Sequence, residues 1–243
     1  MFINQTNSTN DWLKLHPDCE AVWTTWQTAG RGQAGNSWES EEGKNVLMSL
    51  RLTRPNVAVE YQFRLTMAVS LAVQEVVAHL LPQQPVSVKW PNDIYVGDRK
   101  ICGILIENTL AEGRIEESII GIGLNVNQTV WHSGAPNPVS VKQITNQDTD
   151  LEAVFKALCD AIYNKVSLLG SPEILKQNYL SVLYRFGTKA LYARRKVCLT
   201  PSRILTVQPQ DAFEATITDV TEQGELVLDN TQTFHFKEIQ FVL

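Results

Sequence analysis

The chain has 243 residues, 44% hydrophobic and 19% charged, and its 21 basic and 26 acidic side chains give a formal net charge of −5. That length holds one well-buried domain and a small second one, and the composition is that of an ordinary globular protein. An acidic balance excludes a global positive field for nucleic acid, no apolar run reaches the roughly 18 residues of a membrane helix, and residues 1–10 lack a signal-peptide core.

Cys19, Cys102, Cys159 and Cys198 are far apart and form no C-x-x-C pair, which suits reduced thiols in a cytoplasmic protein. His16, His79, His132 and His235 share no metal-ligand spacing.

Ser8 and Asp11 have capping-box spacing ahead of Trp12, Leu13 and Leu15, so a short helix is expected there. Strands are expected over 19–26 and 45–52, with a glycine-punctuated loop over 27–44 between them. Tyr61, Leu65, Ala68, Val69, Ala72, Val76 and Leu80 recur at three- and four-residue steps, predicting a long helix that Pro82 stops. A strand over 86–89 leads into Lys89-Trp90-Pro91-Asn92-Asp93. Residues 94–96 and 101–107 read as a hairpin turning at Gly97-Asp98. A strand over 114–126 and a loop over 127–138 follow. Asp150 can cap a helix with an apolar stripe from Leu151 to Leu169, and another helix is expected over 172–184. Beyond Gly187 the texture changes to short strand-like runs over 197–199, 204–207, 213–220, 225–228 and 233–236. That spacing suggests a small all-β barrel.

Gly30-Arg31-Gly32-Gln33-Ala34-Gly35 matches the letters of a dinucleotide fingerprint. The match fails on context, because no helical stripe follows and no acid stands about 20 residues on. What remains is a flexible loop in which glycines let backbone N–H groups approach an anion and Arg31 can hold it. A solvated surface loop fits the same letters, and Trp38 fits either a purine stack or a core. Lys89 to Asp93 places a cation, an amide and a carboxylate within one short segment. Asn92 and Asp93 are oxygen ligands suited to Mg²⁺ on nucleotide phosphates. Antiparallel pairing across the hairpin turn can return Lys100 to them, although a solvated Asp98-Arg99-Lys100 turn is the commoner outcome for such a cluster.

Together these blocks resemble the biotin–protein ligase family: Ser8-Thr9-Asn10, Gly30-Arg31-Gly32 with Trp38, Lys89 to Asp93, Lys100 to Leu105, and Gly121-Ile122-Gly123-Leu124-Asn125 in that order. The resemblance is strong over residues 3–145 and weak beyond. It implies an α+β fold in which a mixed β-sheet with flanking helices, class II synthetase-like, occupies residues 1–185. A small SH3-like β-barrel would occupy 186–243. It further implies ATP-dependent activation of biotin to biotinyl-5′-AMP, with Mg²⁺, and transfer to a lysine of a biotin carboxyl carrier domain.

By resemblance Ser8, Thr9, Asn10 and Gln27 would bind the ureido end of biotin, with Gly30, Arg31, Gly32, Lys100 and Gly103 along the rest of the molecule. Arg31, Trp38, Lys89, Asn92, Asp93, Lys100 and Asn125 would contact ATP. Asn92 and Asp93 would orient Mg²⁺ through the nucleotide phosphates, and Lys100, Arg31 and Asp93 would be catalytic. Gly103, Gly121 and Gly123 would be small where a ligand or backbone passes closely, or to relieve packing between strands. The motif beginning at Ser8 suggests the monofunctional type, without the N-terminal DNA-binding domain of some relatives. The resemblance also allows a homodimer through strand-edge pairing, as in some relatives, and implies no DNA or membrane partner. A lipoate or octanoate ligase or transferase of the same superfold, and a non-catalytic biotin and nucleotide sensor, are the alternatives.

The glycine loop departs from the family pattern in one respect: Gln33, Ala34 and Asn36 stand where many members carry basic residues. Ordering roughly ten residues costs on the order of 10 kcal/mol, and charge-assisted hydrogen bonds recover about 1.5–3 kcal/mol each. The loop is therefore expected to lack order until ligand binds, and Arg31 and Lys100 are expected to converge on the ligand's carboxylate–phosphate junction.

Overall fold

A computed structural model describes residues 1–133, 137–195 and 212–242. Its larger sheet has six strands: β1 (Ala21–Thr24), β2 (Val46–Thr53), β3 (Val86–Lys89), β4 (Asp93–Val96), β5 (Arg99–Ala111) and β6 (Arg114–Leu124), in the order β1-β2-β6-β5-β4-β3. Every pair of these strands is antiparallel. The expectation of a mixed sheet is met only by single parallel bridges, such as Phe2 to Trp23 and Val88 to Leu183.

Three helices cover one face: α2 (Phe63–Leu80), α4 (Leu151–Val166) and α5 (Pro172–Ser181). On the other lies α1 (Thr9–Leu15), whose Leu13 packs with Val22 and Ile119. Side chains alternate across the strands. Ile104, Ile120, Ile122 and Leu124 enter the main core under α2. Gly103, Glu107, Gly121 and Gly123 are left on the α1 face. By length and composition the stretch from Val59 to Leu80 matches a bilayer span, but most of it is buried against the sheet and its neighbouring helices. It is a core helix, apolar nearly all round because it is covered nearly all round.

The hairpin turns at Gly97, whose φ of +56° is a left-handed conformation glycine adopts without strain. The short helix α3 (Val141–Thr145) carries a capping box between Ser140 and Gln143, and Asp150 caps α4 through the amides of Glu152 and Ala153. The box expected at Ser8 does not form: Ser8 occupies the N-cap position, but its side chain makes no cap bond. Asp11, its expected partner, is drawn to Arg31 instead.

The second sheet contains β7 (Lys189–Arg194), β8 (Ala212–Val220), β9 (Leu226–Leu228), β10 (Thr233–Phe234) and β11 (Ile239–Phe241), in the order β10-β9-β8-β7-β11. Among the described residues it ends in β10 and β11 and does not close. The strands expected over 197–199 and 204–207 lie outside the described residues. Three cysteines, Cys19, Cys102 and Cys159, are free thiols, and Cys198 lies outside the described residues.

Candidate active site

A cavity of about 580 Å³ opens on the α1 face of the larger sheet. Its floor follows from β6: Gly121, Gly123 and Asn125 stand two residues apart, so the row runs about 13 Å along the strand. A Cβ on Gly121 would strike the side-chain amide of Asn10. Gly123 pairs with Gly103 in register. Side-chain atoms at these two positions would stand 2.5 and 2.7 Å from the Trp38 indole. The floor is therefore shaped to seat Asn10 and Trp38, both from this chain, and Gly103 faces Trp38 and the stem of Lys100.

At the Asn10 part of the row, polar groups satisfy one another. Gln27 Oε1 accepts from the Thr9 amide at 2.6 Å and the Thr9 hydroxyl at 3.0 Å. Ser49 Oγ lies 2.8 Å from Thr9 Oγ1 and 2.6 Å from Asn10 Oδ1. Asn10 Nδ2 donates to Glu107 Oε2 at 2.7 Å. Ser8, Thr9, Asn10 and Ser49 are all buried, which demands such partners.

Further along, the hairpin brings Lys100 Nζ to 2.6 Å from Asp93 Oδ1 and 5.6 Å from the Trp38 ring. Lys89 Nζ donates to the Tyr95 hydroxyl at 3.1 Å and stands over the Tyr95 and Phe241 rings. Burial lowers the Lys89 pKa; Asp93 opposes this, while Lys100, Arg195 and Arg185 reinforce it. Asn92 Nδ2 donates to Ile104 O at 2.5 Å, and the Trp90–Pro91 bond is cis. Asn125 Nδ2 donates to Val139 O at 3.1 Å, which leaves its buried Oδ1 without a partner among the described residues. Trp38 Nε1 is also buried and has no partner among the described residues.

The glycine loop folds back on itself. Gly32 N donates to Asn36 O, Trp38 N donates to Gly30 O, and Arg31 bridges Ser37, making a small hairpin with a 3₁₀ turn over Gln33–Gly35. A Cβ on Gly30 would stand 2.6 Å from Trp38 O, so this crossing needs glycine. Arg31 Nη1 and Nη2 donate to Glu107 Oε1 and Oε2 at 3.2 and 2.9 Å, and Nη2 also donates to Asp11 Oδ1 at 2.6 Å. Thus Arg31 and Lys100 both line the cavity, yet each is paired with a carboxylate of the protein. These internal acids and the seat for Trp38 give the loop contacts within the protein itself.

The cavity gathers Ser8, Thr9, Asn10, Gln27, Arg31, Gly32, Trp38, Lys89, Asn92, Asp93, Lys100, Gly103 and Asn125; Gly30 supports the loop from beside it. Sequence reasoning missed Ser49, Glu107, Glu39, Arg195 and Phe236. Ser49 carried a signal, as the one polar residue inside the apolar run from Val46 to Leu50. Glu39 accepts from the backbone amides of His132 and Ser133 at 2.7 and 2.8 Å, tying the glycine loop to the loop that follows β6. Arg195 and Phe236 reach the cavity from the second sheet, and nothing in their neighbourhood announces it.

An antiparallel sheet with helices on both faces defines a class of α+β fold shared with solved biotin protein ligases. The Aquifex aeolicus enzyme in complex with biotin and ATP superposes with a TM-score of 0.77 at 22% identity, over 100% of this chain and 98% of that one. The Leishmania major enzyme in complex with biotinyl-5-AMP gives 0.63 at 21%, over 96% of each chain. At those identities the likeness is one of fold.

In sequence, residues 2–125 match the model of the biotin/lipoate A/B protein ligase family. The bifunctional ligase/repressor BirA of Bacillus subtilis is 41% identical over 112 residues, 46% of this chain and 34% of that protein. The biotin--[acetyl-CoA-carboxylase] ligase of Paracoccus denitrificans is 31% identical over 168 residues, 65% of this chain and 69% of that protein. The chain belongs to the biotin/lipoate A/B protein ligase family, and its match spans about a third of the first of these relatives.

Proposed function

We propose that this protein is a biotin–protein ligase, which condenses biotin with ATP to biotinyl-5′-AMP, releases pyrophosphate, and passes the biotinyl group to a lysine of a biotin carboxyl carrier domain. One observation carries the reading. A single cavity joins the Ser8-Thr9-Asn10 and Gln27 cluster to Asn125, with the Lys100–Asp93 pair between the strands that line it.

The Thr9, Asn10 and Ser49 groups suit the two N–H donors and the carbonyl of the ureido ring, exchanging their mutual bonds for bonds to the ligand. Asn125 Oδ1 offers an acceptor to an exocyclic amine of the base. Lys100 would meet the biotin carboxylate and the α-phosphate together. An ammonium fixed there relieves the repulsion between two anions and meets charge developing in the transition state. Lys89 and Arg195 add positive charge for the remaining phosphates. Asp93 fits a divalent cation that is otherwise held by nucleotide phosphates, and when bound that ion would neutralise phosphate charge. Asn92 donates Nδ2 to Ile104 O, so its Oδ1 is the atom that would face the ion. In the second step Asp93 would accept a proton from the incoming lysine, which is mostly protonated at neutral pH.

We further propose a boundary near residue 185, with 186–243 as an SH3-like unit. A carboxylase carrier as acceptor is supported by the name of the Paracoccus relative, and a cytoplasmic setting fits the free thiols. The test is biotin-dependent exchange of labelled pyrophosphate into ATP, followed by mass analysis of a carrier domain offered with biotin or lipoate. Exchange and a biotin-sized mass increase are expected. Labelling by lipoate alone would assign the other branch of the family, and ligand binding without exchange would make the protein a sensor.

A further inference from the structure

We propose that Glu107 is the positioning residue of the glycine loop: with Asp11 it holds Arg31, so the loop closes on the protein's own acids, and Arg31 acts through that closure. The proposal deepens the ligase reading of the cavity and rests on it for its functional consequence.

Three observations support it. First, the geometry is a planar fork on a planar carboxylate, the arrangement in which a guanidinium gains most. Asp11 takes a further bond from Nη2. Second, the seat is built from elements outside the loop. Glu107 also accepts from Lys14 Nζ at 2.8 Å and from Asn10 Nδ2, so α1 and β5 fix it whether or not Arg31 arrives. Third, the grip is transmitted. Arg31 is bridged to Ser37 within the loop hairpin, and Trp38 follows, its indole on the Gly103 and Gly123 floor. Holding the arginine therefore holds the indole over the cavity.

Between Gly30 and Gly43 the loop carries one cation, Arg31. Drawing it onto a ligand phosphate would break its bonds to two carboxylates and leave Glu107 with Lys14 and Asn10. Closing on Glu107 needs no ligand anion, and the junction of carboxylate and phosphate is left to Lys100.

The first measurement is hydrogen exchange of the loop amides over residues 30–43 in ligand-free protein. Protection is expected in the wild type. Glu107→Gln should exchange roughly tenfold faster, the effect of losing one or two charge-assisted hydrogen bonds. Glu107→Asp should fall between, and Lys14→Ala, which spares the Arg31 contact and the Asn10 bond to Glu107, should open the loop much less than Glu107→Gln. Unchanged exchange in Glu107→Gln, or equal opening in Lys14→Ala, overturns the proposal.

The second measurement is the dissociation rate of a non-hydrolysable acyl-adenylate analogue. Arg31→Gln and Glu107→Gln should each speed release about tenfold, and the double variant no further. Multiplying effects, or a large effect of Arg31→Gln alone, would mean that Arg31 grips the ligand and would overturn the proposal. A wild-type loop that is protected in a protein binding no analogue would sink the ligase reading and leave the latch standing.

Discussion

Burial works against the charge on Glu107, but hydrogen bonds from Arg31, Lys14 and Asn10 outweigh it and hold the carboxyl at about 2. A depressed folded-state value stabilises above the unfolded value, near 4.5, and that contribution is lost as pH falls toward about 2. Loop protection, corrected for intrinsic exchange, should therefore stay flat from pH 8 to 5 and decline below about 4.5, with Glu107→Gln flat throughout. A decline centred near neutrality would point to another group. Lys100 has a different duty in the proposed reaction, where it would meet the carboxylate and the α-phosphate. Lys100→Ala should lower pyrophosphate exchange by about 10²–10³-fold while biotin binding changes far less. Lys100→Arg should not restore the rate, because a wide guanidinium cannot replace a compact ammonium against Asp93. Asp93→Ala should slow transfer from preformed adenylate, measured by single turnover onto a carrier domain; an unchanged transfer rate removes the carboxylate from that step.

At the scale of elements, the floor of the cavity is a fit between strands and loop. A methyl on Gly123 would stand 2.5 Å from the indole of Trp38, a separation that real side chains do not tolerate. Gly123→Ala should lift Trp38 from its seat, raise exchange across residues 30–43 and raise KM for ATP. Adding Trp38→Leu should lower the exchange again by removing the clash, a recovery that general destabilisation of β6 would not show. These elements were largely legible in the sequence, because period and punctuation are local signals. The three- and four-residue stripe found α2, the glycine turn found the β4–β5 hairpin, and Asp150 found the start of α4. The same locality hid Glu107 and Arg195, whose roles depend on partners 76 and 45 residues away. A charged residue in a strand looks alike in sequence whether it faces water or an arginine. Strands β7 and β11 were missed because neither has apolar alternation long enough to stand out. The assembly of Lys100 with Asp93 was legible only through the order of several blocks, each weak by itself.

At the scale of the molecule, the second sheet is joined to the charged segment of the cavity. Trp90 Nε1 donates to Gly224 O at 2.9 Å, and its ring meets Phe236 edge-on at 6.2 Å. Arg64 pairs with Glu222 at 2.7 Å and Lys176 with Asp219 at 2.8 Å. Trp90 is flanked in sequence by Lys89, Asn92 and Asp93, so docking of the second sheet fixes the backbone from which those groups project. Gly224 is the tightest point of this contact. Its φ is +90°, and a Cβ there would stand 2.5 Å from the Phe63 ring. Gly224→Ala combines left-handed strain with overpacking, at a cost of about 2–4 kcal/mol. The protein should melt several degrees lower, and the functional loss should be uneven. The proposed biotin contacts near Thr9 and Asn10 are built on α1 and β2, remote from this seam, whereas Lys89, Asp93, Arg195 and Phe236 sit along it. KM for ATP should rise well above its wild-type value with KM for biotin little changed, both read by pyrophosphate exchange at a temperature where the variant stays folded. If both rose together, the second sheet would be supporting the fold as a whole, with no selective hold on the nucleotide half of the cavity.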